Sequence, residues 1–434
     1  MVKIEQRPVA DGVNFRSIQD TRFKTMRIAV SFLLPIRKDT AAANALLPFL
    51  LARASRQYPD FTKLSQRLSE LYGADINADV YKLGENQVLS IAALGLADRY
   101  ALNGENISGD LAELLCGILF DPPITDGLFP LDGFHQEKRQ TIEMIDSDYN
   151  DKRIFSRLRC EQIMCRDEAF GISRYGTREE IQSLKLPRMT EIWEHALKSA
   201  RIEIMALGDC DPHQIYEDFV RAFSKFSRGA LEKCGTKVIK TVEKARDVTE
   251  TMTVAQSKLV LGFRAGAAVP QDDVVPTKLM TAVFGGTPNS KLFLNVREKL
   301  SLCYYCAARY DWNKGILLVE SGVETKNIER AKEEILRQLE EIKKGNVGDE
   351  EIGAAKLSLC NSYRTIGDFL GGLESWYLSQ TFCKNVLSPE EAARQIRAVT
   401  KEQIVAAARN VVLDTVYRLE GKGEDQHGNE EDHK

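Results

Sequence analysis

The run Phe284-Gly-Gly-Thr-Pro-Asn-Ser-Lys-Leu-Phe-Leu-Asn-Val-Arg-Glu-Lys-Leu-Ser-Leu-Cys-Tyr-Tyr305 decides how the chain is read. Gly285, Gly286 and Pro288 interrupt a helical pattern, and Asn289 or Ser290 is suited to cap a new helix. Leu292, Phe293, Val296 and Leu300 give that helix one apolar stripe. Arg297 lies off the stripe, near the helix end. From Leu302 to Tyr310 aromatic and small apolar residues favour a strand. Alternation puts Leu302, Tyr304 and Cys306 on one of its faces, with Cys303 and Tyr305 on the other. Taken alone, Arg297 and Tyr304 have ordinary uses: a cation complementing a helix C-terminus, and a strand aromatic.

Upstream, Met26 to Ile36 reads as a buried strand, Ala41 to Ser55 as a helix rich in Ala and Leu, and Phe61 to Tyr72 as an amphipathic helix closed by Gly73. Ala74 to Leu83 and Asn86 to Leu94 form a hairpin turning at Gly84-Glu85. Gly109 to Phe120 is a helix stopped by Pro122-Pro123, and a long helix runs from about Phe134 into the 160s. Thr177-Arg-Glu-Glu starts another, one more begins at Thr190, and a strand from Arg201 to Leu207 closes the half.

The second half repeats this order. Met252 to Phe263 is a strand, Thr277 to Phe284 and Ser290 to Leu300 are helices, and Leu302 to Tyr310 pairs with Gly315 to Val323 as a hairpin. Helices follow at Asn327 to Lys344 and from Asp349 to about Asp368. The closing signals Ser388-Pro-Glu-Glu, Thr400-Lys-Glu-Gln and the strand Thr415 to Leu419 parallel Thr177, Thr190 and Arg201 to Leu207 at an offset of about 210 residues, the mark of a duplication. The expected fold class is therefore α+β: two homologous domains, each an antiparallel sheet backed by helices. Their bounds are 1–225 and 251–423, with a polar linker at 226–250 and a disordered acidic tail at 424–434.

Composition excludes several classes. The 59 basic and 63 acidic residues are interspersed and leave a net charge of −4, so no basic field for nucleic acid exists. The amino terminus lacks a signal-peptide core, and no apolar run approaches the ~18 residues of a membrane span. A cytoplasmic protein with neither nucleic-acid nor membrane partners is expected. The nine cysteines are irregularly spaced, and Cys303-x-x-Cys306 falls on a strand pattern instead of a redox turn, so reduced, mostly buried thiols are expected.

The opening run resembles the second-half signature of the M16 (pitrilysin or insulinase-like) metallopeptidase family, "Ser-Arg-Leu-Phe…Arg-Glu-Lys…Leu-x-Tyr". Here it reads Ser290-Lys291-Leu292-Phe293, Arg297-Glu298-Lys299 and Leu302-Cys303-Tyr304, with the Arg and Tyr seven residues apart. Leu71-Tyr-Gly-Ala-Asp-Ile-Asn77-Ala78 resembles the family's entry into its first hairpin. Phe134-His-Gln-Glu-Lys resembles the helix that bears its third zinc ligand. The resemblance covers the whole chain in order and implies that Arg297 and Tyr304 bind peptide at a zinc site in another domain or subunit. There the Tyr would serve the carbonyl that becomes an oxyanion. Gly285 and Gly286 stand where the non-zinc subunit of mitochondrial processing peptidase carries a longer glycine-rich, substrate-guiding loop.

Catalytic M16 members carry His-x-x-Glu-His on a first-domain helix and a further Glu on a later one. Aligning the helix tail places that motif on Ala45, Leu46, Leu47, Pro48 and Phe49, and the later ligand on Met144. No histidine precedes Phe134, so no shift of register restores the motif. A zinc site needs several converging nitrogen, oxygen or sulfur ligands, and His135, His195, His213, His427 and His433 are scattered. The resemblance thus implies a non-zinc subunit, with no cofactor of its own and with peptidase activity only in a heterodimer with a zinc-bearing M16 subunit acting on a peptide or small protein. The competing expectation is an inert structural or peptide-binding scaffold. By overall pattern the chain is also similar to bacterial, Gram-positive M16-like proteins linked to 5-aminopentanol modification of elongation factor P.

Overall fold

A computed structural model describes residues 3–421. The tail expected to be disordered at 424–434 lies outside the described residues. The chain divides into two compact units, and neither is a contiguous half. The first comprises 1–147, 165–237 and 361–393, and the second 148–164, 238–360 and 394–434. The expected bounds 1–225 and 251–423 are corrected accordingly, because each sheet takes a helix from the other half of the sequence to cover its second face.

In the first unit β1 (Lys3–Ala10), β2 (Val13–Gln19), β3 (Thr25–Pro35), β4 (Asp75–Leu83), β5 (Asn86–Leu96) and β6 (Arg201–Gly208) form a sheet ordered β1-β2-β6-β3-β5-β4. In the second, β7 (Arg246–Met252), β8 (Ser257–Arg264), β9 (Cys303–Asp311), β10 (Ile316–Val323) and β11 (Val412–Gly421) are ordered β7-β11-β8-β10-β9. Only β2–β6 and β7–β11 pair in parallel. Setting β1 aside, both sheets run first-fifth-second-fourth-third in chain order, so the duplication legible in the helix starts extends to topology. Three of those starts are real caps, whereas Thr190 lies inside the helix Leu186–Ser199, its hydroxyl donating to the Gly127 carbonyl at 2.7 Å. Thr177 with Glu180 and Thr400 with Gln403 form capping boxes, and Ser388 exchanges the same pair of bonds with Glu391.

The inner face of the first sheet buries Ile28, Val30, Leu89, Ile91 and Ile204 among the surrounding helices. Its other face buries Leu33, Val88, Met205 and Leu207 beneath Leu370, Leu373 and Tyr377 of the helix Leu370–Leu378. The expected linker is not slack. Gly229 and Glu232 donate backbone hydrogen bonds to the carbonyls of Lys198 and Ser199, and Thr236 Oγ1 accepts from the Glu85 amide. The linker's end, from Arg246, is β7. The long helix expected from Phe134 breaks at Asp151 into Leu131–Asn150 and Lys152–Met164, and the chain passes to the second unit at Asp148, in the last turn of the first of these.

The helix Lys152–Met164 covers the charged face of the second sheet. Gly262 permits the approach: a Cβ there would lie 2.8 Å from Met164 Sδ and 3.4 Å from Cys160 Sγ. Asp414 accepts from Arg264 Nε at 2.7 Å and from Arg246 Nη1 at 2.9 Å. Both arginines also donate to the Met164 carbonyl, at 3.1 and 2.9 Å. The two cations therefore satisfy one buried carboxylate and the orphan carbonyl at the C-terminal, negative end of the helix dipole. Farther up the helix Arg159 pairs with Glu250 at 2.7 Å, and Tyr417 donates to the same carboxylate at 2.9 Å.

Asp414→Ala leaves two guanidiniums facing each other, that of Arg264 almost wholly buried. A loss of ~3–5 kcal/mol is expected. Urea unfolding would measure it, and hydrogen exchange should show Lys152–Met164 opening before the first unit's sheet.

Candidate functional site

The signature run builds one corner of the second unit. After the helix Val275–Thr281 the chain widens into a π-helical turn, Ala282–Gly286, and after a turn at 287–290 into a second π-helix, Leu292–Lys299. An ordinary helix was the sequence expectation for 290–300. The wider coil is seen in the Leu300 amide bonding to the Asn295 carbonyl at 3.2 Å and that of Leu302 to Val296 at 3.0 Å. π-Helical turns are rare and concentrate at functional sites. Leu292 and Val296 anchor the segment in the core, and the half of the expected stripe formed by Phe293 and Leu300 is only part-buried. Lys291, itself buried, pairs with Glu351 at 3.0 Å. Ser301 at φ 49° makes the left-handed exit into β9.

The first turn of β9 does not alternate as its sequence suggests. Val323 of β10 lies opposite Cys303 and Gly322 opposite Tyr305, leaving Tyr304 as the extra residue of a β-bulge. The bulge resets the phase. Cys303 and Cys306 are both buried, and Tyr304, expected to share a face with Cys306, is 64% exposed. Bulges re-aim side chains in this way. The Cys303 thiol is held below the usual thiol range, foremost by its hydrogen bond with Cys306, with further help from Ser321 and the Arg297 charge. Cys306, the other member of the pair, is pushed up. No disulfide links any of the nine cysteines.

Tyr304 borders an open cavity of ≈ 570 Å³, with Gln256, Ser257, Glu324 and Thr325 around it. Arg297 projects from the π-helix, its guanidinium 4.6 Å over the Phe293 ring and its Nε 3.6 Å from Glu298. Stacking fixes the plane of the fork and leaves its edge for a carbonyl or carboxylate. The two glycines differ. Gly286 is exposed, whereas Gly285 is buried where a Cβ would lie 2.8 Å from the Ala308 Cβ and 2.9 Å from its amide nitrogen. Gly285 thus lets the π-turn touch β9 and has no surface to offer a substrate.

The positions that correspond to a zinc motif lie in the first unit. Ala45, Leu46, Leu47 and Pro48 are buried on the helix Ala41–Leu51, and Phe49 is half-buried. Met144 receives the Tyr175 hydroxyl on its sulfur at 3.8 Å. Glu143 is turned to solvent and lies 3.8 Å from Arg139. An apolar helix face and one thioether do not make a zinc site, which takes imidazole, carboxylate or thiolate ligands. Among the described residues, no group of three or more His, Cys, Asp or Glu side chains is arranged to hold a metal ion. No helix among them is long and apolar enough to cross a membrane.

Gly285→Ala should destabilise the second unit by ~1–3 kcal/mol, because the strand backbone it meets has little freedom to yield. Thermal unfolding of the purified variant reads this directly.

Residues 183–359, which include the whole run from Phe284 to Tyr305, match the family described as "Peptidase M16 inactive domain". The crystal structure of a conserved protein from Enterococcus faecalis V583 superposes with a TM-score of 0.89 at 28% identity, covering 97% of this chain and 99% of that one. A peptidase M16 inactive domain from Pseudomonas fluorescens has the same fold, with a TM-score of 0.77 at 14% identity over 97% and 99% of the two chains. The Bacillus subtilis (strain 168) protein named "Probable inactive metalloprotease YmfF" is 30% identical over 414 residues, 94% of this chain and 96% of its own length. On that relationship, the chain belongs to the peptidase M16 family.

Proposed function

We propose that this chain is the non-zinc subunit of a heteromeric, cytoplasmic M16-type peptidase and lends Arg297 and Tyr304 to a peptide bound at a zinc-bearing partner's site. The observation that carries the proposal is the bulge in β9. It holds Tyr304 out beside an open cavity, seven residues beyond a stacked and half-exposed Arg297, in a chain whose positions set against the zinc motif hold no ligands.

The chemistry asked of this chain is donation. As a scissile carbonyl becomes tetrahedral its oxygen gains charge, and a preorganised hydroxyl at Tyr304 stabilises that oxygen more than it stabilises the ground state. Arg297, always charged and forked, suits a backbone carbonyl or a carboxylate of the same peptide. The partner would contribute the Lewis acid. We extend the proposal to 5-aminopentanol modification of elongation factor P on the chain's similarity to bacterial M16-like proteins linked to it.

A second reading is an inert scaffold of the same fold. The word "inactive" in the names of both the matched family and the Bacillus subtilis relative favours it. Mixing a zinc-bearing M16 partner with wild-type, Tyr304→Phe and Arg297→Ala chains separates the two. The subunit reading expects Tyr304→Phe to assemble normally and lose ~10²–10³ in kcat, with Arg297→Ala weakening peptide binding. Wild-type turnover by an assembled Tyr304→Phe complex would establish the scaffold instead.

Alone, the chain is expected to hydrolyse no peptide and to hold no stoichiometric zinc. Elemental analysis of the purified protein checks the second point.

A further inference from the structure

A second cavity, of ≈ 320 Å³, opens in the same unit between the helix Lys152–Met164 and the β9–β10 hairpin. Nothing in the reading of Tyr304 and Arg297 uses it. Two of its lining arginines, Arg157 and Arg309, are held by Glu320, which is 3% exposed. Three guanidiniums approach this carboxylate through their Nε atoms: Arg153 at 3.0 Å, Arg157 at 3.8 Å and Arg309 at 3.7 Å. Arg157 also donates to Glu161 at 3.1 Å. Oε1 of Glu320 accepts no hydrogen bond, so Arg157 and Arg309 are held by charge without being consumed by it.

Three cations therefore face three carboxylates, Glu161, Glu320 and Asp311, so the local charge balances. The carboxylate of Asp311, also at the cavity, accepts the amides of Asn313 and Lys314 at 2.9 and 3.0 Å within the hairpin. Arg309 is 68% exposed, and its approach to Glu320 is its one polar contact recorded among the described residues. Its terminal nitrogens, which form the edge suited to a carboxylate, are unused. The rest of the lining is apolar. Ile316 and Leu318 form a buried floor and Trp312 a wall, with the Lys278 ammonium 3.8 Å from the indole centre. Tyr310 presents its ring, because its hydroxyl is spent on the Ala267 carbonyl at 2.7 Å.

We infer that this pocket binds the C-terminal carboxylate of a polypeptide whose last side chain is apolar. The anion meets Arg309 and Arg157 while the side chain covers Ile316, Leu318 and Trp312. A phosphate would satisfy the arginines and leave the floor wet. An amidated peptide would fill the floor and leave the outer edge of Arg309 unpaired.

Trp312 reports the test. The full chain is titrated with acetyl-Gly-Gly-Leu bearing a free carboxylate, with its C-terminal amide, and with inorganic phosphate, following tryptophan fluorescence with calorimetry in parallel. The acid is expected to give a saturable change that Trp312→Phe abolishes, although calorimetric binding survives. The amide and phosphate should bind at least about tenfold more weakly, as loss of a charge-assisted bond implies. Arg309→Gln, at an exposed position, should keep the wild-type Tm and weaken the acid by a similar factor. Equal binding of acid and amide, phosphate binding as tightly as the acid, unchanged affinity in Arg309→Gln, or no saturable binding by either method would each overturn the inference.

Discussion

Asp414 sits near the start of β11, at a break in its register with β8 and with no access to water, and a fixed relationship among backbone, cations and helix depends on it. A buried carboxylate is tolerable only when paired and hydrogen-bonded. Here the pairing groups, Arg246 and Arg264, are the same groups that close the carbonyl end of Lys152–Met164. The sheet therefore holds its cover by electrostatics aimed at a helix terminus, where the first unit relies on Leu370, Leu373 and Tyr377 against leucine, valine and methionine. Even there an ion pair, Arg27 with Glu374, fixes the covering helix. Two copies of one topology have solved the same problem, how to roof the second face of a sheet, with different chemistry.

The roofing bears on function because it leaves charge at the surface. Glu320 lies on the charged face of β10, in the row that pairs with Ala307 of β9 and Val260 of β8, and it gathers the arginines of the covering helix. At the other end of β9 the bulge at Tyr304 breaks the pairing and turns an aromatic outward. One edge strand thus displays a phenol near its start and a guanidinium near its end, while Ala45, Leu46, Leu47 and Pro48 of the first unit are ordinary core.

Much of this was legible in the sequence. The hairpins, the three Ser or Thr helix starts and the repeat were readable because turn glycines, capping residues and apolar periodicity act locally. β1 and β7 were not. Arg246–Met252 alternates between half-exposed and exposed on a sheet edge, so its residues carry no apolar signature. The bulge was invisible because Cys303-Tyr-Tyr-Cys306 alternates acceptably as a plain strand, and only the partner register shows Tyr304 to be the extra residue. The exchanged helices escaped because a helix pattern shows which of its faces is apolar and says nothing about which sheet will bury it. Arg153 and Arg157, four apart on one helix face, were the available hint of the arginine cluster, and their partner Glu320 lies far along the chain.

The exchange has a consequence for how the protein is made. A nascent chain usually folds its first domain while the second is still being synthesised. Here the first unit includes residues 361–393, so the outer face of its sheet stays uncovered until most of the polypeptide has left the ribosome. Leu33, Val88, Met205 and Leu207 must wait, exposed, for a helix that lies more than 150 residues downstream of the last of them, as the numbering of Leu207 and Leu370 shows. For this architecture the interval between translation and burial is built into the connectivity.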